Sequence, residues 1–406
     1  LDPIADADIA SPAFKANPYP YFARLRAEAP VRQVTLRDGQ HAWLVTRHDD
    51  VAAVLKDDRF VKDKAHALTP DQAARQPWIP AAFRPLMRNM LDSDPPDHTR
   101  LRTLVHKAFT PRLVEGLRPR VQALCDELLD AASARGRVDL IGDYALPLPT
   151  TIIAEMLGVP AGDRRRFHRW SKAIVSIDPS AWGRLKVIPS VLAFLRFIRH
   201  LVAARRAEPR DDLLGALVTA EEAGERLSED ELLAMVFLLL VAGHETTVNL
   251  IGNGTLALLD HPEQRERLRA DPALIRSAIE ELLRYDGPLM TASERYPRED
   301  VPVAGVTIPR GGLVFAALAS ANRDERQFDR PDTLDLAREP NRHLAFGLGP
   351  HYCLGAPLAR LEGQIAIATL LRRAPGLRLA APRPTLRWRR GLVLRGLESL
   401  PVTFAE

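Results

Sequence analysis

The chain has 406 residues, of which 46% are hydrophobic and 27% charged, with a net charge of +4 at neutral pH. These values belong to a globular protein with a sizeable core and exclude a disordered or low-complexity chain. Both signs of charge are interleaved, so nucleic-acid binding is not expected, and two cysteines, Cys125 and Cys353, exclude a disulfide framework and suit a reducing cytoplasm.

In chain order, Asn17-Pro18-Tyr19-Pro20 leads into a short helix over Tyr21–Arg26 that Pro30 stops. His41–Thr46 alternates as a strand does, so Val31–Val45 is predicted to be a hairpin turning at Arg37-Asp38-Gly39. Helices are predicted at Asp49–Leu55, Pro96–Ala108, Leu113–Arg135, Pro149–Leu157 and Asp163–Val175. Lys62–Met90 and Ser176–Gly183 lack a strong period and are expected as loops able to gate a pocket. Ser228-Glu229-Asp230-Glu231 is a capping box, opening a helix of roughly 30 residues towards Leu259 whose first half is apolar all round and hence buried. The apolar run Leu232–Gly243 is too short to span a bilayer and Leu1–Asp6 shows no signal pattern, so a cytoplasmic protein without membrane contact is expected. Asp300–Val314 reads as short strands with turns. The expected fold class is mainly α with minor β, as a single domain over residues 1–406, since no repeat or linker interrupts the chain.

The stretch richest in chemistry is Phe346-Gly347-Leu348-Gly349-Pro350-His351-Tyr352-Cys353-Leu354-Gly355. Three glycines permit positive φ and close approach, Pro357 suits the first turn of a helix, and Leu358–Ala366 has helical periodicity. Cys353 is therefore placed where a loop becomes a helix, and the positive end of that helix favours the thiolate, the form that binds metals. On residue type alone a lone intracellular cysteine is more often an inert buried side chain; the glycines around this one weigh against that.

Three other clusters stand out. Ala242-Gly243-His244-Glu245-Thr246-Thr247 breaks the apolar run of the long helix, which suggests either a kink with a satisfied polar network or a groove that admits water. Glu281 and Arg284 are spaced i,i+3 on one helix face, a pairing common on exposed surfaces. His98 and Arg102, in Asp94-Pro95-Pro96-Asp97-His98-Thr99-Arg100-Leu101-Arg102, lie one turn apart and on their own read as a solvated basic face.

The run 346–355 fits F-x-x-G-x-x-x-C-x-G and resembles the haem-binding signature of the cytochromes P450, with the histidine of bacterial members two residues before the cysteine. The resemblance extends in order from Asn17-Pro18-Tyr19 to Leu400-Pro401-Val402-Thr403-Phe404. It implies a P450 fold with a long central helix over a haem b (iron protoporphyrin IX) and small sheets near the N-terminus and in the C-terminal third. It implies further that Cys353 is the axial iron ligand in a loop shaped by Phe346, Gly349 and Gly355, and that His98, Arg102, Arg295 and His351 hold the haem propionates. Thr246 and Glu245 match the alcohol and acid that handle dioxygen and relay protons for heterolytic O–O cleavage. Glu281-Leu282-Leu283-Arg284 matches the E-x-x-R brace of the haem region; the expected basic partner in a later P-D-R-F is replaced by Pro331-Asp332-Thr333-Leu334, leaving Thr333, Arg330 or Arg338 to complete it.

The activity implied is a monooxygenase inserting one oxygen atom from O2 into a mainly apolar small molecule. Its substrate is expected against Phe83–Leu91, Ile174–Val187, Leu238–Ala242, Pro288–Thr291 and Leu392–Leu394, with Arg84 and Arg88 either solvated or reading an anionic group. No flavin or iron-sulfur motif is present, so electrons are expected from a separate ferredoxin or flavodoxin, which a basic face of Arg100, Lys107, Arg112, Arg360, Arg372 and Arg373 would attract. A monomer is expected. The rival readings are a peroxide-driven haem-thiolate enzyme and a non-catalytic haem or ligand-binding protein; the intact Glu245-Thr246 pair speaks for O2 chemistry.

Overall fold

The structure is a computed structural model that describes residues 7–69, 72, 86, 89–133, 135–175, 181–222 and 224–404. The expected gating segments fall largely outside them: Phe83, Arg84, Arg88 and Ser176–Ser180 lie outside the described residues, as do the side chains of 174–186. The chain is mainly α with minor β. It forms two compact units, one of residues 1–76, 122–145 and 246–406 and the other of residues 77–121 and 146–245.

The first unit carries both three-stranded sheets. Val31–Thr35 and His41–Val45 form the expected hairpin, Val31 opposite Val45, around a turn in which Gly39 takes φ +83°. The second of these strands then pairs in parallel with Leu313–Ala316, Ala42 opposite Leu313, so Ala42, Leu44 and Val45 are fully buried. Likewise Arg137–Asp139 joins Pro401–Phe404 and Leu377–Leu379 in a second three-stranded sheet. The apolar face of helix Ile275–Asp286 (Ala278, Ile279, Leu282, Leu283) packs with Ile367 and Leu371 of helix Ala356–Arg373 and with Leu250, Ala257 and Leu258 of the long helix. This packing seats the helix that follows the cysteine loop.

In the second unit, Phe194 of helix Ala181–Ala207 bridges Phe167 (5.8 Å) and Phe237 (6.1 Å). That helix begins at Ala181, so Ala181–Gly183 is helical where an irregular segment is expected from sequence; the helix formers that follow outweigh Gly183. The predicted helix Leu113–Arg135 is two helices, Pro111–Gly116 and Arg118–Ser133. Pro119 explains the break: it has no N–H to donate to Glu115, and its ring would clash with that carbonyl.

The long helix runs unbroken over Glu229–Asp260, and its capping box forms: the Glu231 N–H donates to Ser228 Oγ (3.3 Å) and the Ser228 N–H to Glu231 Oε2 (2.8 Å). Among the described residues both this helix and Val187–Ala207 are long and apolar enough to cross a bilayer, more than the run Leu232–Gly243 suggests, although most of the apolar stretch of Glu229–Asp260 is buried within the protein. The helix is continuous through Gly243–Thr247. Within it, His244 Nδ1–H donates to the Leu240 carbonyl one turn earlier (2.6 Å).

Candidate functional site: a cysteine loop and its braces

The cysteine loop is built from backbone. Gly347 and Gly349 take φ +71° and +72°, and a Cβ on Gly349 would stand 2.7 Å from the Leu55 carbonyl oxygen, so only glycine fits there. The turn Gly349–His351 follows, and the Cys353 N–H donates back to the Phe346 carbonyl (2.9 Å). Gly355 caps helix Ala356–Arg373, which has Pro357 in its first turn. Phe346, Gly349, His351, Cys353 and Gly355 therefore share one loop. The Cys353 side chain is exposed whereas Cys125 is buried, and burial pushes the Cys125 thiol up to about 12, far from a thiolate at neutral pH.

The flank of this loop is held by a brace that the sequence pattern does not announce. Arg360 lies 4.4 Å over the Phe346 ring and donates to both oxygens of Glu280 (2.7 and 2.8 Å). His343 Nε2–H donates to the same carboxylate (3.0 Å). Burial alone would raise the Glu280 carboxyl; the bonds from Arg360 and His343 outweigh it and hold the group at about 2.

Next to it, Glu281 and Arg284 form a fully buried bidentate pair, with both N–H···O distances 2.7 Å. Arg338 completes the network, its Nε donating to both Glu281 oxygens (3.2 and 3.1 Å), and Asn341 adds a bond of 3.1 Å. Thr333 and Arg330 contribute only carbonyls: Thr333 O accepts from Arg284 and Arg338, and Arg330 O from Arg338. Arg284 also donates to the carbonyls of Asn322 (3.0 Å) and Pro331 (2.7 Å), tying the segment before the cysteine loop to helix Ile275–Asp286.

On the long helix the polar cluster is half hidden. His244, Glu245 and Thr247 are buried, whereas Thr246 is part-exposed on a stripe with Leu239, Ala242 and Gly243. That spacing is i, i+3, i+4, i+7, a single face that turns small at its middle. Glu362, nine residues beyond Cys353, is buried against Thr247, the neighbour of Thr246. Burial pushes its carboxyl up to about 8, and the nearby Thr247 hydroxyl only partly offsets this.

The remaining candidates are divided between the units. Arg295 is buried in the first, its backbone bonded both ways to Val314 (3.1 and 2.9 Å) and its Nη1 donating to the Ser293 carbonyl (3.2 Å). In the second, His98 and Arg102 sit on helix Asp97–Ala108; burial, then the positive charge of Arg102, lowers the His98 pKa. The expected basic face is largely committed to internal ion pairs. Arg100 bonds Glu231 and lies 3.3 Å from Glu225, Arg360 holds Glu280, and Arg373 pairs with Asp126 and Asp130.

Comparison with known proteins decides the family. The family model for cytochrome P450 matches residues 193–375. Cytochrome P450 107B1 of Saccharopolyspora erythraea is 48% identical over 96% of each chain. The chain belongs to the cytochrome P450 family. It is also 46% identical to the cytochrome P450 monooxygenase PikC of Streptomyces venezuelae, over 98% of this chain and 94% of that one. Among solved structures, the myxobacterial cytochrome P450 CYP267B1 in complex with myristic acid superposes with a TM-score of 0.91 at 44% identity, covering 99% of this chain and 100% of that one. This P450 is a monooxygenase whose cofactor is a haem, and its fold is that of its relatives.

Proposed function

We propose that this P450 holds a haem b through the Cys353 thiolate and oxidises a mainly apolar small molecule with O2 and electrons from a separate ferredoxin or flavodoxin. The observation that carries the reading is the presentation of Cys353: an exposed sulfur at the head of a helix, on a loop that two positive-φ glycines bend and the Phe346 carbonyl pins. By resemblance to the family, Arg295 and His351 of the first unit and His98 and Arg102 of the second are assigned to the haem carboxylates.

When bound, the haem supplies the redox-active iron that activates O2. The protein's own part is to supply protons and exclude water. Thr246, on the accessible stripe, offers a hydroxyl donor, and buried Glu245 beside it holds the proton passed on. Leu392, Val393 and Leu394, part-exposed beside Met290 and Thr291, present an apolar wall suited to a hydrophobic substrate. The enzyme is read as a cytoplasmic, single-domain monomer. Because the cations first considered for the electron donor are mostly ion-paired, its docking surface is not assigned to them.

The test is spectroscopic. Reduction of the haem-loaded protein under CO should give the red-shifted Soret band of thiolate ligation; a band at the position of histidine-ligated haem proteins would overturn the assignment of Cys353.

A further inference from the structure

The hairpin that carries the apolar wall is not self-supporting. Its arms pair at Trp388–Leu397, with the Arg389 N–H donating to the Gly396 carbonyl (2.9 Å), and its tip bears Leu392–Leu394. The tip is zipped to the segment after helix Ile275–Asp286: Met290 N–H donates to Val393 O (2.8 Å), Arg395 N–H to Pro288 O (2.8 Å), and Leu289 bridges Leu394. The two stretches expected to face substrate, 288–291 and 392–394, are therefore one piece of backbone structure.

What fixes that piece comes from the far end of the chain. Helix Pro12–Ala16 buries Lys15 completely, and its ammonium donates to the Leu394 carbonyl. Arg395 Nε donates back to the Lys15 carbonyl (3.0 Å), and the Gly391 N–H to Ala10 O (3.0 Å). The Arg395 guanidinium stacks on Trp388 (3.8 Å) and bonds Asp286, which Tyr19 OH also reaches (2.5 Å). Asn253 of the long helix closes the group, donating to the carbonyls of Arg395 (3.0 Å) and Asp286 (3.3 Å). A buried ammonium is costly, and a methionine would fill the same volume without that cost, so a lysine here is kept for its polar contacts, the Leu394 carbonyl among them.

We propose that Lys15 is a positioning residue for the substrate pocket: by anchoring the Leu394 carbonyl it sets where the joined wall 288–291 and 392–394 stands, and so how large a ligand the pocket admits. Its bearing on substrate rests on the reading that these two stretches line the pocket.

The experiment compares Lys15→Met, the conservative Lys15→Arg, and Tyr19→Phe, a milder loosening of the same group, with Arg26→Met as a control that removes a buried cation elsewhere. Hydrogen exchange is read first, since it does not depend on the haem: amide exchange of Met290 and Arg395 in Lys15→Met should rise at least about 10-fold, with Ala292, bonded to Ala316 O, within about 2-fold. In the haem-loaded protein, the ratio of the Kd for 4-phenylimidazole to that for imidazole should shift at least about 5-fold in Lys15→Met, less in Tyr19→Phe, and within about 2-fold in Lys15→Arg and Arg26→Met. Should Lys15→Met not fold, Tyr19→Phe carries both measurements. Unchanged exchange at Met290 and Arg395, or raised exchange with an unchanged ratio, overturns the proposal. A histidine-type CO spectrum in the wild type would instead overturn the haem-thiolate reading and leave the exchange result standing.

Discussion

Replacing Arg338 by Ala measures the brace that the sequence leaves open among three residues. Glu281 is completely buried and the Arg338 side chain 10% exposed, so the bonds between them at 3.2 and 3.1 Å are shielded from water. Removing one member of a buried ion pair costs about 3–5 kcal/mol, chiefly through the charge left behind. Glu281 would keep Arg284, Asn341 and the Asp335 N–H (3.0 Å), which places the loss at the low end. The carbonyls of Asp329, Arg330 and Thr333 that Arg338 also caps are accessible to water and add little. The expectation is a loss of about 3 kcal/mol, read by guanidinium titration of the haem-loaded protein with far-UV circular dichroism and the Soret band followed together. Arg330→Ala should change stability by less than about 0.5 kcal/mol, since its side chain is 70% exposed and pairs only with neighbouring Asp329. Thr333→Ala should behave like Arg330→Ala, because its backbone alone takes part. A loss below about 1 kcal/mol for Arg338→Ala, or an equal loss for Arg330→Ala, would refute the account of the network.

Three further outcomes follow from the site. Glu362 has its folded pKa raised to about 8 from 4.5, so the folded state binds the extra proton and stability falls as pH rises between those values; Glu362→Gln should flatten that limb of the stability–pH curve and raise stability at neutral pH, and a wild-type slope in the variant would count against a buried neutral acid. Gly349→Ala adds a clash with the Leu55 carbonyl to the strain of φ +72°, whereas Gly347→Ala adds strain alone, its Cβ lying 3.9 Å from the His351 carbonyl oxygen; haem retention on dilution should therefore suffer more from the first, and equal losses would show that strain alone governs the loop. Thr246→Ala should release more hydrogen peroxide per electron pair consumed while the thiolate spectrum is kept; unchanged coupling would remove Thr246 from proton delivery.

The features legible in the sequence are those whose physics is local. The spacing of three glycines, a cysteine and a proline describes the loop because each residue's conformational need is met within a few positions, and the capping box at Ser228 is equally self-contained. The split at Leu117 was signalled by Pro119 and is obscured only by the strong helical period on either side. Arg338 could not be singled out, because its distance from Glu281 is set by how the segment 322–338 folds back and not by the 57 positions between them. Glu362 and Lys15 look like surface residues of ordinary helices; what buries them is packing against stretches more than a hundred residues away.

The sheet that joins strand His41–Val45 to Leu313–Ala316 also sets an order of events during synthesis. The hairpin Val31–Val45 leaves the ribosome early, yet one edge of its inner strand stays open until roughly 270 further residues have followed, about 15–50 s at ordinary rates of translation. Throughout that interval Ala42, Leu44 and Val45 sit on an unpaired apolar edge of the kind that invites pairing with other chains. The hairpin is thus a segment of the nascent chain suited to chaperone protection, and slowing translation before residue 313 should lower the soluble yield more than slowing it afterwards.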